Sequence, residues 1–156
     1  MENEVCCPKF DPGPWQEKDF EWKNKQFIRI KVFTIFYIPI NFGGAMRKLD
    51  KLVRSAGATF EDNMALSDHT SKWSMYVYAA VDSGVPGAEN VALSGRFISK
   101  VYEGDFKETS VWGEDAKRYA ASKNLRVSKW YMWYTTCPKC AKKYGKNYTV
   151  FIGKVE

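Results

Sequence analysis

The fold is decided by the stretch IRIKVFTIFYIP, residues 28–39, and by what surrounds it. Apolar side chains alternate with basic ones from Ile28 to Val32, which is the period-two pattern of a half-buried strand. Pro39 ends the pattern because proline has no backbone N–H to give to a strand ladder. The sequence therefore predicts a strand that stops near residue 39.

The residues after this strand predict a helix and two further strands. Apolar side chains recur at helical spacing over residues 46–56, and Gly57 follows in the position of a helix cap. Residues 59–67 and the alternating run 73–81 predict the two strands.

The same order of elements returns in the second half of the chain. Residues 91–102 predict a strand, and apolar side chains at helical spacing over 111–124 predict a helix. Residues 126–135 and 148–155 predict two more strands. The repeat is one of pattern, since the two halves share little sequence.

The pattern predicts an α+β fold of two strand–helix–strand–strand repeats, over about 27–84 and 90–156. We expect one antiparallel-rich sheet with both helices on one face and a groove on the other. Residues 1–26 are interrupted by prolines yet rich in aromatics, so we expect an N-terminal arm packed on a single domain, 27–156.

Composition narrows the class of protein. The chain has 156 residues, 45% hydrophobic and 27% charged, with a net charge of +6, which is the balance of one globular domain. No apolar run approaches the ~20 residues of a membrane span, and no secretory leader is visible, so we expect a cytoplasmic protein with no membrane partner.

Phosphate-binding and dinucleotide motifs are missing, so we expect no nucleotide cofactor. His69 is the single histidine, so catalytic mechanisms that need two histidines are excluded.

Three segments carry a resemblance to a known superfamily. Residues 80–97, AVDSGVPGAENVALSGRF, the segment 102–106, YEGDF, and Trp112 resemble the junction and second helix of the gyrase-inhibitor-like, or SOUL-type, small-molecule-binding proteins. The resemblance implies a concave ligand-binding face. Glu103 stands near the family's histidine, and residues 129–135 lack the carboxylate that many relatives use for cationic drugs. We therefore do not expect this protein to have the carboxylate-based drug site of those relatives.

A narrower resemblance lies at the two ends of the chain. Residues 6–12, CCPKFDP, and 134–148, YTTCPKCAKKYGKNY, are similar to a bacterial group labelled "hydrolase". The label agrees with the wider resemblance, which implies that some gyrase-inhibitor-like proteins hydrolyse strained, electrophilic small molecules. The narrower resemblance assigns no roles to residues.

The four cysteines form two pairs in sequence, Cys6 with Cys7 and Cys137 with Cys140. The two-residue gap of the second pair suits two thiolates on one zinc ion, and the arm could add one or both of the others. The alternatives are a redox-active thiol pair, which a hairpin position disfavours, and free thiols without a role.

Aromatic side chains are the predicted lining of the ligand groove, although each stripe could instead be core. The predicted ligand-binding residues are Tyr37, Tyr76, Tyr78, Tyr102, Trp112, Tyr131 and Trp133. Glu103, helped by Tyr102 or Tyr131, is the predicted acid–base residue; its alternative role is in the turn before the second helix.

These observations leave two hypotheses for function. The first is a cytoplasmic protein that binds small apolar or cationic molecules through aromatics and hydrolyses apolar, aromatic or electrophilic compounds. The second is a zinc-stapled interaction module that contacts nucleic acid or an acidic partner through lysines around Cys137 and Cys140. Nucleic acid is the less favoured partner, because those lysines could simply offset thiolate charge. The sequence does not determine the oligomeric state.

Overall fold

A computed structural model describes residues 10–36, 38–69, 71–105, 108–135 and 147–156. Its elements, in chain order, are β1 (Lys18–Ile35), β2 (Ile38–Pro39), α1 (Phe42–Ser55), β3 (Phe60–His69), β4 (Ser74–Val81), β5 (Glu89–Glu103), α2 (Thr109–Ser122), β6 (Val127–Tyr134) and β7 (Tyr148–Val155).

Strands dominate the structure, which corrects the expected fold class. They make up 51% of the structure and helices 22%. The expectation of an α+β fold, one antiparallel-rich sheet with both helices on one face, was therefore wrong. The physical reason is strand length: β1 has 18 residues and begins inside the stretch expected to be an arm, and β5 has 15 residues.

The individual elements agree with the periodicity that predicted them. Both helices are confirmed, and α1 ends as expected before Gly57, which has the positive φ of 70° that suits a glycine after a helix. The strand predicted at 28–39 starts earlier, at Lys18, within the stretch expected to be an arm. Prolines were the reason for expecting irregular structure up to residue 26. The last of them is Pro14, which lies before the strand begins.

The chain divides into two compact units, and the first consists of residues 22–95. In this unit β4 pairs antiparallel with β1 on one edge and with β3 on the other. Helix α1 packs Leu49 and Val53 against Ile28 and Ala79, which alternate with residues that face the other side of the strands. One side of these strands is thus a core beneath α1.

The second unit consists of residues 1–21 and 96–156. Here β7 pairs antiparallel with β5 and with β6. Helix α2 packs Trp112, Ala116 and Tyr119 over the side that carries Ile98 and Phe151. The described part of the arm, residues 10–17, contacts the opposite side of the same strands.

The arm is tied down by polar and aromatic contacts within this unit. The Gln16 side-chain amide donates to the Val101 carbonyl at 3.3 Å and accepts from the Val101 N–H at 3.0 Å. The Ser99 hydroxyl donates to the Trp15 carbonyl at 2.6 Å. Gln16 lies just before β1 in the chain, and its side-chain amide satisfies the backbone N–H and C=O of Val101 in β5.

Among the described residues, neither helix is long and apolar enough to cross a membrane.

Candidate functional site

The side of β1 and β4 that faces away from α1 carries an arginine between two tyrosines. Arg29 lies directly opposite Tyr78 in the β1–β4 ladder. Its guanidinium carbon is 4.4 Å from the centroid of the Tyr76 ring and 5.8 Å from that of the Tyr78 ring. Its Nη1 donates to the Tyr78 hydroxyl oxygen at 3.4 Å. A planar cation is therefore held against two aromatic side chains, an arrangement that suits arginine better than lysine. These three residues are named the Arg29 site below.

Two carboxylates belong to the same side of the strands. The Arg29 Nη2 donates to Glu89, whose side chain is half exposed. Asp68 lies opposite Tyr76 in the β3–β4 ladder and is buried. The hydrogen bond to Glu89, and then that to Tyr78, raises the pKa of Arg29 above its ordinary value. The guanidinium therefore stays charged while it packs on the rings.

One donor of Arg29 is left over. Its Nε–H is buried, and none of the residues that the structure describes accepts a hydrogen bond from it. An unsatisfied buried donor costs about 1–3 kcal/mol, a cost that an incoming oxygen acceptor would remove. Tyr76 beside it is only partly buried, so part of its surface is open to a ligand. The Arg29 site can therefore take an aromatic group together with a neighbouring oxygen.

The equivalent side of the other unit is covered by the arm. Trp133 and Tyr131 are buried there, and Phe10 and Trp15 each place a ring 5.3 Å from the Trp133 ring. The Trp133 indole N–H has no acceptor among the described residues. Glu103 is exposed at the end of β5 and alternates onto this same side. The predicted ligand and acid–base roles of these residues stay predictions.

Tyr102 lies on the opposite side, beneath α2, and Trp112 is a residue of that helix. Their rings stack at 5.7 Å, and the Tyr102 hydroxyl donates to Asp115 Oδ2 at 2.7 Å. Lys100 Nζ donates to the same oxygen at 2.7 Å. Burial, and then the bond to Asp115, raises the pKa of Tyr102. Because neighbours on a strand face opposite ways, Tyr102 is not brought together with Glu103.

Asp115 should make the stability of the protein depend on pH. The hydrogen bond from Lys100, and then that from Tyr102, lowers the pKa of its carboxyl below the ordinary 3.8. A lowered folded-state pKa stabilises the fold above pH 3.8, and this stabilisation is lost as the pH falls through the folded-state value. Asp115→Asn should therefore destabilise the protein at pH 7, by roughly 1 kcal/mol at most because the side chain is a third exposed.

Urea unfolding at pH 7 and at pH 3 measures this effect. The difference between Asp115→Asn and the original chain should shrink at pH 3. Glu114→Gln is the matched control, since Glu114 only forms an exposed pair with Lys117. A difference for Asp115→Asn that is the same at both pH values would contradict the assignment.

The remaining predicted site residues lie outside the described residues. They are Tyr37, Cys6, Cys7, Cys137 and Cys140. The described residues contain no group of three or more potential metal ligands. Zinc binding by the cysteines therefore stays a prediction.

Sequence reasoning singled out Tyr76 and Tyr78 but missed Arg29, the residue between them in the Arg29 site. The signal for Arg29 was visible, since a charged residue alternating with Ile28 and Ile30 must share a side with its cross-strand neighbours. Arg29 was instead interpreted as a residue on the solvent-facing side of a half-buried strand. His69 was expected in a turn, but it ends β3, where burial lowers its pKa.

Comparisons with known proteins agree with this architecture. A family model described as "Bacterial hydrolase" matches residues 1–155, so the chain belongs to that family. The solved structure titled "Crystal structure of EcmrR C-terminal domain" is similar in fold, with a TM-score of 0.66 and 10% sequence identity. The match covers 91% of this chain and 98% of that one. The comparison with curated proteins finds no match.

The family confirms the hydrolase-labelled part of the resemblance. The fold shared with the EcmrR domain is consistent with the gyrase-inhibitor-like part, and membership of that superfamily stays a prediction.

Proposed function

We propose that this protein binds a small aromatic compound at the Arg29 site and hydrolyses a bond in it. The observation that carries the binding proposal is the buried Arg29 Nε–H, which has no acceptor among the described residues and lies beside a partly open Tyr76 ring. The name of the family supports the hydrolytic part.

The electrostatics favour a neutral or anionic ligand. The guanidinium of Arg29 already occupies the position over Tyr76 that a cationic ligand would take in a cation–π interaction. Lys31, opposite Tyr76 in the β1–β4 ladder, adds a second positive charge; Glu89 is paired with Arg29, and Asp68 lies opposite Tyr76 in the β3–β4 ladder. The preference therefore rests on the position of Arg29 over the Tyr76 ring and on its buried Nε–H. We therefore propose an aromatic ligand with a carbonyl or carboxylate oxygen, in place of the cationic molecule that the sequence suggested.

The same geometry suits a hydrolytic step on a carbonyl compound. An N–H from Arg29 to the carbonyl oxygen would stabilise the negative charge that develops when water adds to the carbon. Cleavage of an ester would then give an acid and an alcohol. In this step Arg29 would position the substrate and stabilise charge.

Two probes of opposite charge test the binding proposal. Anilinonaphthalene sulfonate is an aromatic anion, and tetraphenylphosphonium is an aromatic cation. We expect the anion to bind more tightly in calorimetric titrations. Arg29→Met should weaken anion binding by roughly 10- to 150-fold, the value of a hydrogen bond to a charged group.

Arg96→Met is the matched control, because Arg96 also forms a partly exposed ion pair, with Asp19. It should leave the affinity within about twofold. Tighter binding of the cation, or an equal loss in both variants, would contradict the Arg29 site. Release of nitrophenolate from a series of aryl esters tests hydrolysis separately, and no release from any ester would restrict the proposal to binding.

A further inference from the structure

A second surface of the 22–95 unit exposes large apolar side chains close together. Each is about half exposed or more, and they are Phe33, Ile35, Phe36, Ile40 and Trp73. Among the described residues two other large apolar side chains are exposed, Val111 at 56% and Phe60 at a lower 36%. Single exposed apolar residues are ordinary, but a cluster of five marks an interaction surface. This cluster is named the apolar tip.

Contacts show that the members of the apolar tip are neighbours. The rings of Phe36 and Trp73 lie 5.2 Å apart. The Ile40 N–H donates to the Phe33 carbonyl at 3.0 Å, and the Thr34 N–H donates to the Trp73 carbonyl at 2.9 Å. The tip is therefore built from two chain segments that are joined by backbone hydrogen bonds.

Further hydrogen bonds fix the backbone beneath the tip. The Thr34 hydroxyl donates to the Lys72 carbonyl at 2.7 Å, and the Phe33 N–H donates to the Asn41 side-chain oxygen at 2.9 Å. Asn41 caps α1, so the tip is tied to the start of that helix. The apolar side chains are presented on an ordered base, which lowers the entropy lost on binding.

Positive charge surrounds the apolar tip. Lys31 Nζ lies 5.6 Å from the Phe33 ring centroid, and Lys72 Nζ lies 5.8 Å from that of Phe36. The first turns of α1 add exposed Arg47 and Lys48. Over residues 22–95 the sequence has nine basic residues and six acidic residues, a net charge of 9 − 6 = +3.

We propose that the apolar tip docks on a membrane surface that contains anionic lipids. Aromatic side chains flanked by lysines match the boundary between acyl chains and headgroups, and anionic headgroups attract the surrounding positive charge. A peptide partner fits less well. The strand β2 offers it only two residues for backbone pairing.

This proposal differs from the expectation of no membrane partner, which was based on the lack of a spanning segment. It concerns docking at the surface only, and it does not depend on the function proposed for the Arg29 site.

Flotation with lipid vesicles tests the proposal on the full chain. We expect binding to phosphatidylcholine vesicles that contain phosphatidylserine, and weaker binding as salt is raised. The double variant Phe36→Ser/Trp73→Ser should lose roughly tenfold or more in vesicle affinity. Replacing Lys31 and Lys72 by Gln should lower the vesicle affinity by roughly fivefold for each charge removed.

Val111→Ser is the matched control, since it removes an equally exposed apolar side chain from the other unit. It should bind vesicles as the original chain does. Ile40→Ser provides a second test of the tip if the double variant does not fold. The proposal would be overturned if the tip variants bound vesicles as tightly as the original chain does. It would also be overturned if the original chain bound equally tightly to vesicles with and without phosphatidylserine. Failure to bind vesicles, together with dimerisation that the tip variants abolish, would assign the surface to a second copy of this chain.

Discussion

Trp112→Ala is expected to lower the free energy of unfolding by about 3–5 kcal/mol, the usual cost of removing a buried tryptophan. Trp112 is 7% exposed and packs against Tyr102, Ala116 and Phe151 beneath α2. The sequence predicted it as a ligand-binding residue, whereas its surroundings indicate an effect on stability. Anion binding at the Arg29 site, measured where the variant is folded, should change little.

Val111→Ala is the control for this experiment. Val111 is the preceding residue of the same helix and is 56% exposed, so its replacement should change the free energy of unfolding by less than about 0.5 kcal/mol. Urea unfolding followed by circular dichroism measures both variants. A Trp112→Ala variant of normal stability that fails to bind the ligand would show that Trp112 contacts the ligand.

Gly153→Val is expected to cost roughly 3 kcal/mol, at the upper end of the range for overpacked cores. A Cβ atom at Gly153 would meet Trp130 Cζ3 at 2.7 Å and Val127 Cγ1 at 2.9 Å, both closer than van der Waals contact. Gly153 lies opposite Trp130 and Ile98 in the middle of the β5–β7–β6 ladders. The Trp130 ring occupies the space that a side chain would need.

Gly113→Ala is the matched control in α2. A Cβ atom there would meet its nearest neighbour, Phe151 Cε2, at an ordinary 3.8 Å. Alanine is also the better helix former, so this variant should gain up to about 1 kcal/mol. Thermal unfolding should therefore move in opposite directions for the two variants. A Gly153→Val protein as stable as the original chain would contradict the packing of Trp130 over Gly153.

Local periodicity predicted the helices and most strands because it depends only on residues close in sequence. The start of β1 was not predictable in this way. Residues 18–26 contain Asn24 in a left-handed conformation, with φ of 51°, which breaks the alternation. The strand pairing was also out of reach, since the β5–β7 ladder joins residues far apart in sequence and leaves no local pattern.

The candidate site was partly predictable for the same reason. Period-two alternation placed Tyr76 and Tyr78 on one side of β4, and the ladder agrees. It could not pair Arg29 with Glu89, which is 60 residues away, and it could not reveal which donor of Arg29 is left without an acceptor. Long-range ion pairs of this kind require the structure.

The most direct test of the Arg29 site is the nitrogen–hydrogen NMR correlation spectrum of the arginine Nε–H groups during titration with anilinonaphthalene sulfonate. Arg29→Lys assigns the Arg29 signal, and Arg96 provides an internal reference. We predict that the Arg29 signal shifts in a saturable way, with the affinity measured by calorimetry, while the Arg96 signal stays in place. Saturable binding that leaves the Arg29 signal unmoved would contradict the central claim.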